Sequence, residues 1–477
     1  MRSYYCVDTI RAAEAPLLAS LPDGALMRRA AFGLATACIR ELVARTGGVA
    51  GRRVCAVVGS GDNGGDALWA ATFLRRRGAA ADAVLLNPQR AHRTALAAFR
   101  KAGGRVVQRV ATEKTDLVID GVVGISGSGP LRPEAAEVFA ALEAPGAGGI
   151  PVVAVDIPSG IDVHTGAITG PAVHAALTVT FGGLKPVHAL ADCGRVELVD
   201  IGLDLPPADV LGFEAADVKA RWPVPGPTDD KYTQGVTGIL AGSSRYPGAA
   251  VLCTGGAVAA TSGMVRYAGS ALREVLAHWP EVVAAPTAAA CGRVQAWVVG
   301  PGIGTDQDAA AALWYALDTD LPVIVDADGL TLVAAHPEPV VNRDAPTVLT
   351  PHAGEFSRLA GGPPGEDRVG AARELAARLQ ATVLLKGNVT VIADPGGPVY
   401  LNPAGQSWAA TAGSGDVLSG MIGALLAAGL PAAEAAAAAA FVHARAANLS
   451  AADPGPGPAP TSASRIIEHI RAAVAGL

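Results

Sequence analysis

The chain has little of several things, and each shortage removes a class of protein. Only 17% of its 477 residues are charged, 4% are aromatic and six are cysteines. The cysteines are widely and irregularly spaced with no C-x-x-C pair, which argues against a disulfide scaffold or a zinc site and fits a reducing cytoplasm. There is no long basic block, the net charge is −6 and the isoelectric point is about 5.9, so the footprint of a nucleic-acid binder is missing. The short run Arg75, Arg76, Arg77 reads as a helix end. Mean hydropathy is positive at +0.34, yet no segment offers the roughly 20 continuous apolar residues of a membrane span. The long uncharged stretch Tyr246 to Val265 is broken by Pro, Gly, Ser and Thr, and the run after Asp416 by Gly429 and Pro431. Asp8, Arg11 and Glu14 interrupt the N-terminal segment, so no export signal is expected.

What is abundant is alanine, together with 58 Gly and 34 Pro in a chain that is 50% hydrophobic. At roughly 150 residues per domain the length suggests about three domains, or two large ones. From Gly51 short apolar strands such as RVCAVV, ADAVLL, DLVID, PVVAVD and LTVTF alternate with alanine-rich helical stretches, the pattern of a parallel sheet covered on both faces. The alternation breaks in the proline-rich segment Leu205 to Asp230, where a domain boundary is expected. It resumes with GVTGILAG, VQAWVVGPG, PVIVDADG, PTVLTPH, TVLLKG and VTVIAD. A long helical region, Gly415 to Ser450, then encloses the run Ala435 to Ala440, read as a close-packed helix. A closing helix is expected over Ser464 to Val474.

In the first half the strand RVCAVV runs straight into Gly59 to Asp66, and a helix follows. A glycine-rich turn of this kind brings backbone N–H groups close to a phosphate at a helix N-terminus. Asp62, Asn63 and Asp66 add three oxygen-bearing side chains to a loop without bulk. Two further strands end in carboxylates, Asp120 and Asp156, and the carboxyl ends of parallel strands form the ligand crevice. Any one such Asp is more often a helix cap; three loops in one domain favour a site. Asn63, Asp120 and Ser159 are candidates for hard oxygen ligands of a cation, with Asp156 facing the substrate.

The strings GSGDNGGD, VIDGVVGISGSGPLR, VAVDIPSGID and TVTFGGLKP resemble the NAD(P)H-hydrate epimerase domain over residues 1–220. The resemblance implies a Rossmann-like three-layer fold and interconversion of the R and S forms of hydrated NADH or NADPH. It also implies a potassium ion on Asn63, Asp120 and Ser159. It places the hydrate against Asp62, Asn63, Gly64, Gly65 and Asp66, against Gly124, Ile125, Ser126, Gly127, Ser128, Gly129 and Pro130, and against Asp156, which is expected to be catalytic. The chain departs from the usual family string in having Asp62 for Asn and Ala67 for Gly, and Gly124, Ile125, Ser126 in place of Gly-Thr-Gly.

In the second half, Ala412 to Asp416 precede a helix. Small residues at a helix start leave free N–H groups for an anion, and a carboxylate there can act as base on a hydroxyl attacking a phosphoryl group. Asp416 could instead simply cap the helix. His352 follows a strand and Pro351, beside Gly354 and Glu355, and is a candidate contact for substrate phosphate or ribose. Lys386, with Gly387 and Thr390, is a candidate for nucleotide phosphate, or an ordinary hairpin lysine. Asp326 and Asp328 are read as structural.

The ordered set of KYTQGVTGILAGSSRYPGAAVL, GPGIG, VDADGL, LTPHAGEF, LLKGNVTVI and AATAGSGDVLSG is similar to the ADP-dependent NAD(P)H-hydrate dehydratase domain, a ribokinase-like α/β fold, over residues 225–477. The resemblance implies phosphorylation of the hydrate's hydroxyl by ADP and loss of phosphate, with Asp416 as base. The hydrate would lie near Ala250, Gly302, His352 and Asp416, and AMP at Lys386, Gly387, Asn388, Val389, Thr390 and Gly415. Alanine at 249 or 250, and glycine at 302 or 304, remain alternatives. Magnesium is expected as the nucleotide counter-ion. The expected whole is a bifunctional cytoplasmic α/β enzyme acting on NADHX, NADPHX and ADP, a homo-oligomer without nucleic-acid or membrane partners. Two rivals are an ATP-dependent ribokinase-like small-molecule kinase, and a dehydratase whose first domain only binds.

Overall fold

The computed structural model describes residues 1–124, 129–144 and 149–477. Packing divides it into two compact units, Ser3–Ala208, and Asp209–Leu477 together with Met1–Arg2.

The first unit holds a wholly parallel seven-stranded sheet in the order Arg105–Val107, Ala80–Leu85, Arg53–Val58, Leu117–Gly121, Val152–Val155, Leu177–Phe181, Arg195–Val199. The first strand in sequence is central and the order reverses around it, so a crevice opens past the carboxyl ends of Arg53–Val58 and Leu117–Gly121. Alternate side chains explain the continuous apolar runs. Val54, Ala56 and Val58 pack with Leu34, Leu68 and Leu74, while Cys55 and Val57 pack with Leu131 and Phe139 on the opposite face. Helix Asp62–Arg76 is drawn tightly onto the strand ends. A Cβ on Gly121 would lie 2.5 Å from Ala67 Cβ and 2.8 Å from the Asn63 carbonyl oxygen.

The second unit carries a mixed sheet. Val399–Pro403, Val389–Ala393 and Thr382–Leu385 are successive antiparallel neighbours. Thr347–Leu349, Val323–Val325, Ala296–Val299, Val236–Leu240, Met264–Ala268 and Val283–Ala285 then continue parallel to Thr382–Leu385. The expected helical region from Gly415 to Ser450 is two helices, Ser414–Ala427 and Ala432–Ala452, parted at Gly429–Pro431. All of Ala435 to Ala440 are buried. Glycine sets how near helix Ser414–Ala427 comes to helix Pro247–Ala260, because a Cβ on Gly420 would sit 1.9 Å from the Cys253 carbonyl oxygen.

The proline-rich junction is more ordered than its composition implies. Strand Val210–Gly212 pairs in parallel with Val399 and Tyr400, and helix Ala215–Arg221 opens with a capping box from Glu214 and Asp217 and buries Val218. The division falls at Asp209, inside the Leu205 to Asp230 segment, and assigns residues 209–220 to the second unit.

Candidate active sites

The carboxyl ends of the first unit's strands open onto a cavity of about 490 Å³. Asp62, Asn63, Asp66, Gly124 and Asp156 line it, and Gly64 and Gly65 do not. Among the described residues Gly129 and Pro130 do not line it, and Ile125, Ser126, Gly127 and Ser128 lie outside the described residues. Helix Val7–Ser20 adds Arg11 and Glu14 to the wall, and Asp23, Lys185 and His92 also line it.

Asp156 and Lys185 form a fully enclosed ion pair. Lys185 Nζ donates to Asp156 Oδ1 at 2.5 Å and to Thr180 Oγ1 at 2.9 Å, and Thr180 Oγ1 donates to the same carboxylate oxygen at 2.8 Å. Burial alone would push the Asp156 carboxyl up, but the charge and hydrogen bond of Lys185 outweigh it and hold the group below the usual carboxylate range. His188 accepts the Lys185 backbone N–H on Nδ1 and faces the Asp156 carbonyl oxygen with Nε2 at 2.8 Å. Its burial and the nearby Lys185 charge push the imidazole down to about 4. The backbone of Asp156 is left-handed, at φ 70°. A non-glycine residue pays for that conformation, and such strain gathers at functional sites.

Asn63 in the cavity wall and Asp120 and Ser159 behind it meet around the Val123 backbone, which donates its N–H to Ser159 Oγ at 2.9 Å. Asp120 is completely buried and accepts from Ser159 N at 2.8 Å, Ser159 Oγ at 2.8 Å and Val122 N at 3.2 Å. Burial pushes its carboxyl up to about 6 against those bonds. Asn63 Nδ2 donates to the carbonyl oxygens of Val155 at 2.6 Å and Val123 at 3.2 Å. Gly124 is pressed against this amide, since a Cβ there would lie 2.2 Å from Asn63 Oδ1.

In the second unit, Asp416 sits in the first turn of helix Ser414–Ala427, which Gly413 enters at φ 81°. Its half-buried carboxyl is pushed up to about 7, chiefly by burial and then by the charge of Asp326, with Lys386 pulling the other way. Asp326, read from its motif as structural, occupies the middle of the site. At the end of strand Val323–Val325 it accepts Lys386 Nζ on Oδ1 at 2.5 Å and Ser419 Oγ on Oδ2 at 2.7 Å. Lys386 is therefore no exposed hairpin lysine. It turns inward from the Thr382–Leu385/Val389–Ala393 hairpin, and Gly415 lies beside its Nζ. Arg368 braces that hairpin turn from outside, donating to the carbonyls of Lys386 and Val389 at 3.0 Å each.

His352 is a helix cap. Its Nδ1 accepts from Gly354 N and Glu355 N, Glu355 returns the bond to His352 N at 2.8 Å, and Nε2 lies 3.5 Å from Glu355 Oε1. Ala250 is fully buried, whereas Ala249 is part-exposed against Gly302, whose Cβ would lie 2.7 Å from Ala249 Cβ. Gly304 N donates to Asp328 Oδ2 at 2.9 Å. Lys185, Asp326 and the buried pair Ser414 Oγ with His443 Nε2 at 3.1 Å are the site groups the motifs did not single out. The carboxylate of VDADGL at a strand end was a signal for Asp326, and the lysine of TVTFGGLKP one for Lys185. His443 had none, lying within an alanine-rich helix.

A family model described as NAD(P)H-hydrate dehydratase matches residues 237–469, and one described as YjeF-related protein N-terminus matches residues 23–187. The bifunctional NAD(P)H-hydrate repair enzyme Nnr of Mycobacterium tuberculosis is 83% identical over 477 residues, the whole of both chains. The crystal structure of the ADP/ATP-dependent NAD(P)H-hydrate dehydratase from Bacillus subtilis, co-crystallized with ATP/Mg2+, is 29% identical. It covers 55% of this chain and 97% of its own at a TM-score of 0.50. A ribokinase-like superfamily protein from Enterococcus faecalis, 21% identical with a TM-score of 0.51 over 57% of this chain and 98% of its own, shares the fold. The chain belongs to the bifunctional NAD(P)H-hydrate repair enzymes, with a YjeF-related epimerase domain followed by a dehydratase domain of ribokinase-like fold.

Proposed function

We propose that the Asp156 cavity interconverts the R and S hydrates of NADH and NADPH, and that the Asp416 crevice dehydrates the S form at the expense of ADP, yielding NAD(P)H, AMP and phosphate. One observation carries the second half: a carboxyl poised near neutrality at a helix N-terminus, beside a buried Lys–Asp pair on the nucleotide hairpin. Asp416 takes the proton from the hydrate's ring hydroxyl as that oxygen attacks the terminal phosphorus of ADP, and AMP departs. Phosphate then leaves with the carbon–oxygen bond pair, and loss of a proton from the neighbouring carbon restores the ring double bond. The free N–H groups around Gly415 face the developing charge. Lys386, Gly387, Asn388, Val389 and Thr390 form the edge that would hold AMP, with Gly302, Ala249 or Ala250, and the outer face of His352 toward the hydrate.

Magnesium suits the electrostatics of this crevice. Asp326, Asp328 and Glu355 all act on Asp416 by charge, with Lys386 as the opposing cation, so a nucleotide diphosphate needs a divalent counter-ion to approach. In the epimerase site, potassium suits the oxygen set. Asp120 is a buried carboxylate whose hydrogen bonds come from neutral donors, and the Val123 and Val155 carbonyls already converge on one polar group, the Asn63 amide. Turning that amide over presents Oδ1 to a cation. Bound there, potassium would supply positive charge next to the substrate loop.

All six cysteines are unpaired and five are buried, which supports a reducing cytoplasm. No helix among the described residues is long and apolar enough to cross a membrane. Exposed Phe32 and Val43 on helix Ala25–Thr46 support self-association, which sedimentation of the purified chain tests. The function is tested by supplying purified protein with racemic hydrate, magnesium and ADP. Full return of NADH absorbance with phosphate release is expected. No return would overturn the reading, and arrest at half conversion would remove epimerisation from it. A stable phosphorylated product formed only with ATP would make the second unit a kinase.

A further inference from the structure

The cavity around Asp156 holds a second carboxyl whose environment is the opposite of the first. Asp66 is 6% exposed, lines the same cavity as Asp156 and Lys185, and its Oδ1 has no hydrogen-bond partner among the described residues. A native structure seldom buries an unpartnered carboxyl oxygen without a use for it. The titratable groups that line this cavity with Asp66 are Asp62 on its own helix, Arg11 and Glu14 on helix Val7–Ser20, Asp23 ahead of helix Ala25–Thr46, His92 at the head of helix Arg93–Lys101, and the Asp156–Lys185 pair. Lys185 is already committed to Asp156 and Thr180.

We infer that Asp66 is the proton donor of the epimerase site, giving its proton to the ring hydroxyl of the hydrate while Asp156 stays ionised on Lys185. The inference rests on the epimerase reading of this cavity. Burial, and after it the negative charges of Asp156, Asp62 and Glu14, raise the Asp66 carboxyl well above its ordinary value. Lys185 has the reverse effect on Asp156. Two carboxyls in one cavity, driven apart in this way, divide into an acid and a permanently charged partner.

The chemistry balances without any outside reagent. Water adds to the enamine double bond of a dihydronicotinamide with its oxygen on the carbon beside the ring nitrogen, so that carbon is the stereocentre. Asp66 protonates the hydroxyl and the carbon–oxygen bond breaks with its electron pair on oxygen. Water forms, while the nitrogen lone pair closes a carbon–nitrogen double bond. The Asp66 carboxylate and ionised Asp156 then face the cationic ring. Water adds to the opposite face, the π pair returns to nitrogen, and the surplus proton returns to Asp66. Nothing is oxidised or reduced.

The experiment uses the full-length protein with R-enriched hydrate, magnesium and excess ADP. Asp66→Asn keeps the size and polarity of the side chain but has no proton to give. Consumption of the R form should fall by about 100-fold or more toward the spontaneous rate, with S-form dehydration unchanged and the amide exchange of helix Asp62–Arg76 as in the parent. In the parent, R-form turnover should decline as pH rises and Asp66 loses its proton. Asp66→Glu, which retains an acid, should recover part of the rate. An Asn variant that epimerises at the parent rate, or keeps the parent's alkaline decline, overturns the assignment. A parent protein that does not epimerise overturns the epimerase reading itself, a separate outcome.

Discussion

Each unit buries one lysine–aspartate pair at the carboxyl ends of its strands, Lys185 with Asp156 and Lys386 with Asp326, at 2.5 Å in both cases. A left-handed non-glycine residue marks each place, Asp156 itself at φ 70° and Ala327, after Asp326, at φ 51°. The pairs are used differently. In the first unit the paired carboxylate faces the cavity itself and is held ionised. In the second the paired carboxylate is support: it fixes Lys386 and Ser419, and its charge helps keep the neighbouring Asp416 near neutrality. The same ion pair thus secures a charged group in one site and tunes a titrating one in the other.

The largest effect expected from breaking this comparison is at the titrating group. Asp416→Ala should lower kcat for S-form dehydration by roughly 10²–10⁴-fold, the usual worth of a general base, while R-to-S conversion followed by chromatography continues. Next comes the securing pair. Lys185→Met leaves Asp156 buried without its partner, a loss of about 3–5 kcal/mol, visible as earlier denaturant unfolding reported from the first unit. The comparison is sharpened by Asp326→Asn. Asp416 must be ionised to act as base, so dehydration should fall as pH drops through about 7. Removing the Asp326 charge should move that acid limb to lower pH by roughly one unit, tenfold in ionised fraction, and weaken nucleotide binding as Lys386 loses its anchor. An unmoved limb would show that Asp326 does not tune Asp416. The smallest effect is expected at the buried prop beneath the helix. Ser414→Ala removes one hydrogen bond to His443, about 1 kcal/mol of stability, measurable by thermal unfolding with kcat little changed.

Much of both folds was legible because apolar runs and glycine punctuation are local signals. Strands expected from RVCAVV, DLVID and PTVLTPH appear as Arg53–Val58, Leu117–Gly121 and Thr347–Leu349. Asp62, Asn63, Asp66, Asp156 and Asp416 could be noticed because each stands just past a strand end or in the opening turns of a helix. Lys185 and Asp326 were harder, since a lysine or an aspartate in a motif says nothing about what it meets. Their partners stand 29 and 60 residues away, brought together by strand order. His443 meets Ser414 from 29 residues away and was hidden in alanine. Residues 209–220 fell within the expected boundary segment because the prolines on both sides mask a three-residue strand that exists only through its pairing with Val399 and Tyr400.

The sequence by itself determined two α/β units, the loops that carry their chemistry, and the scarcity of charge, cysteine and apolar runs that excluded other classes. Those are properties of neighbours along the chain, set by side-chain period and backbone freedom. Only the tertiary structure decided which carboxylate is ionised, which is poised and which is braced. Protonation depends on burial and on charges a few ångströms away, and the fold draws those charges from distant strands.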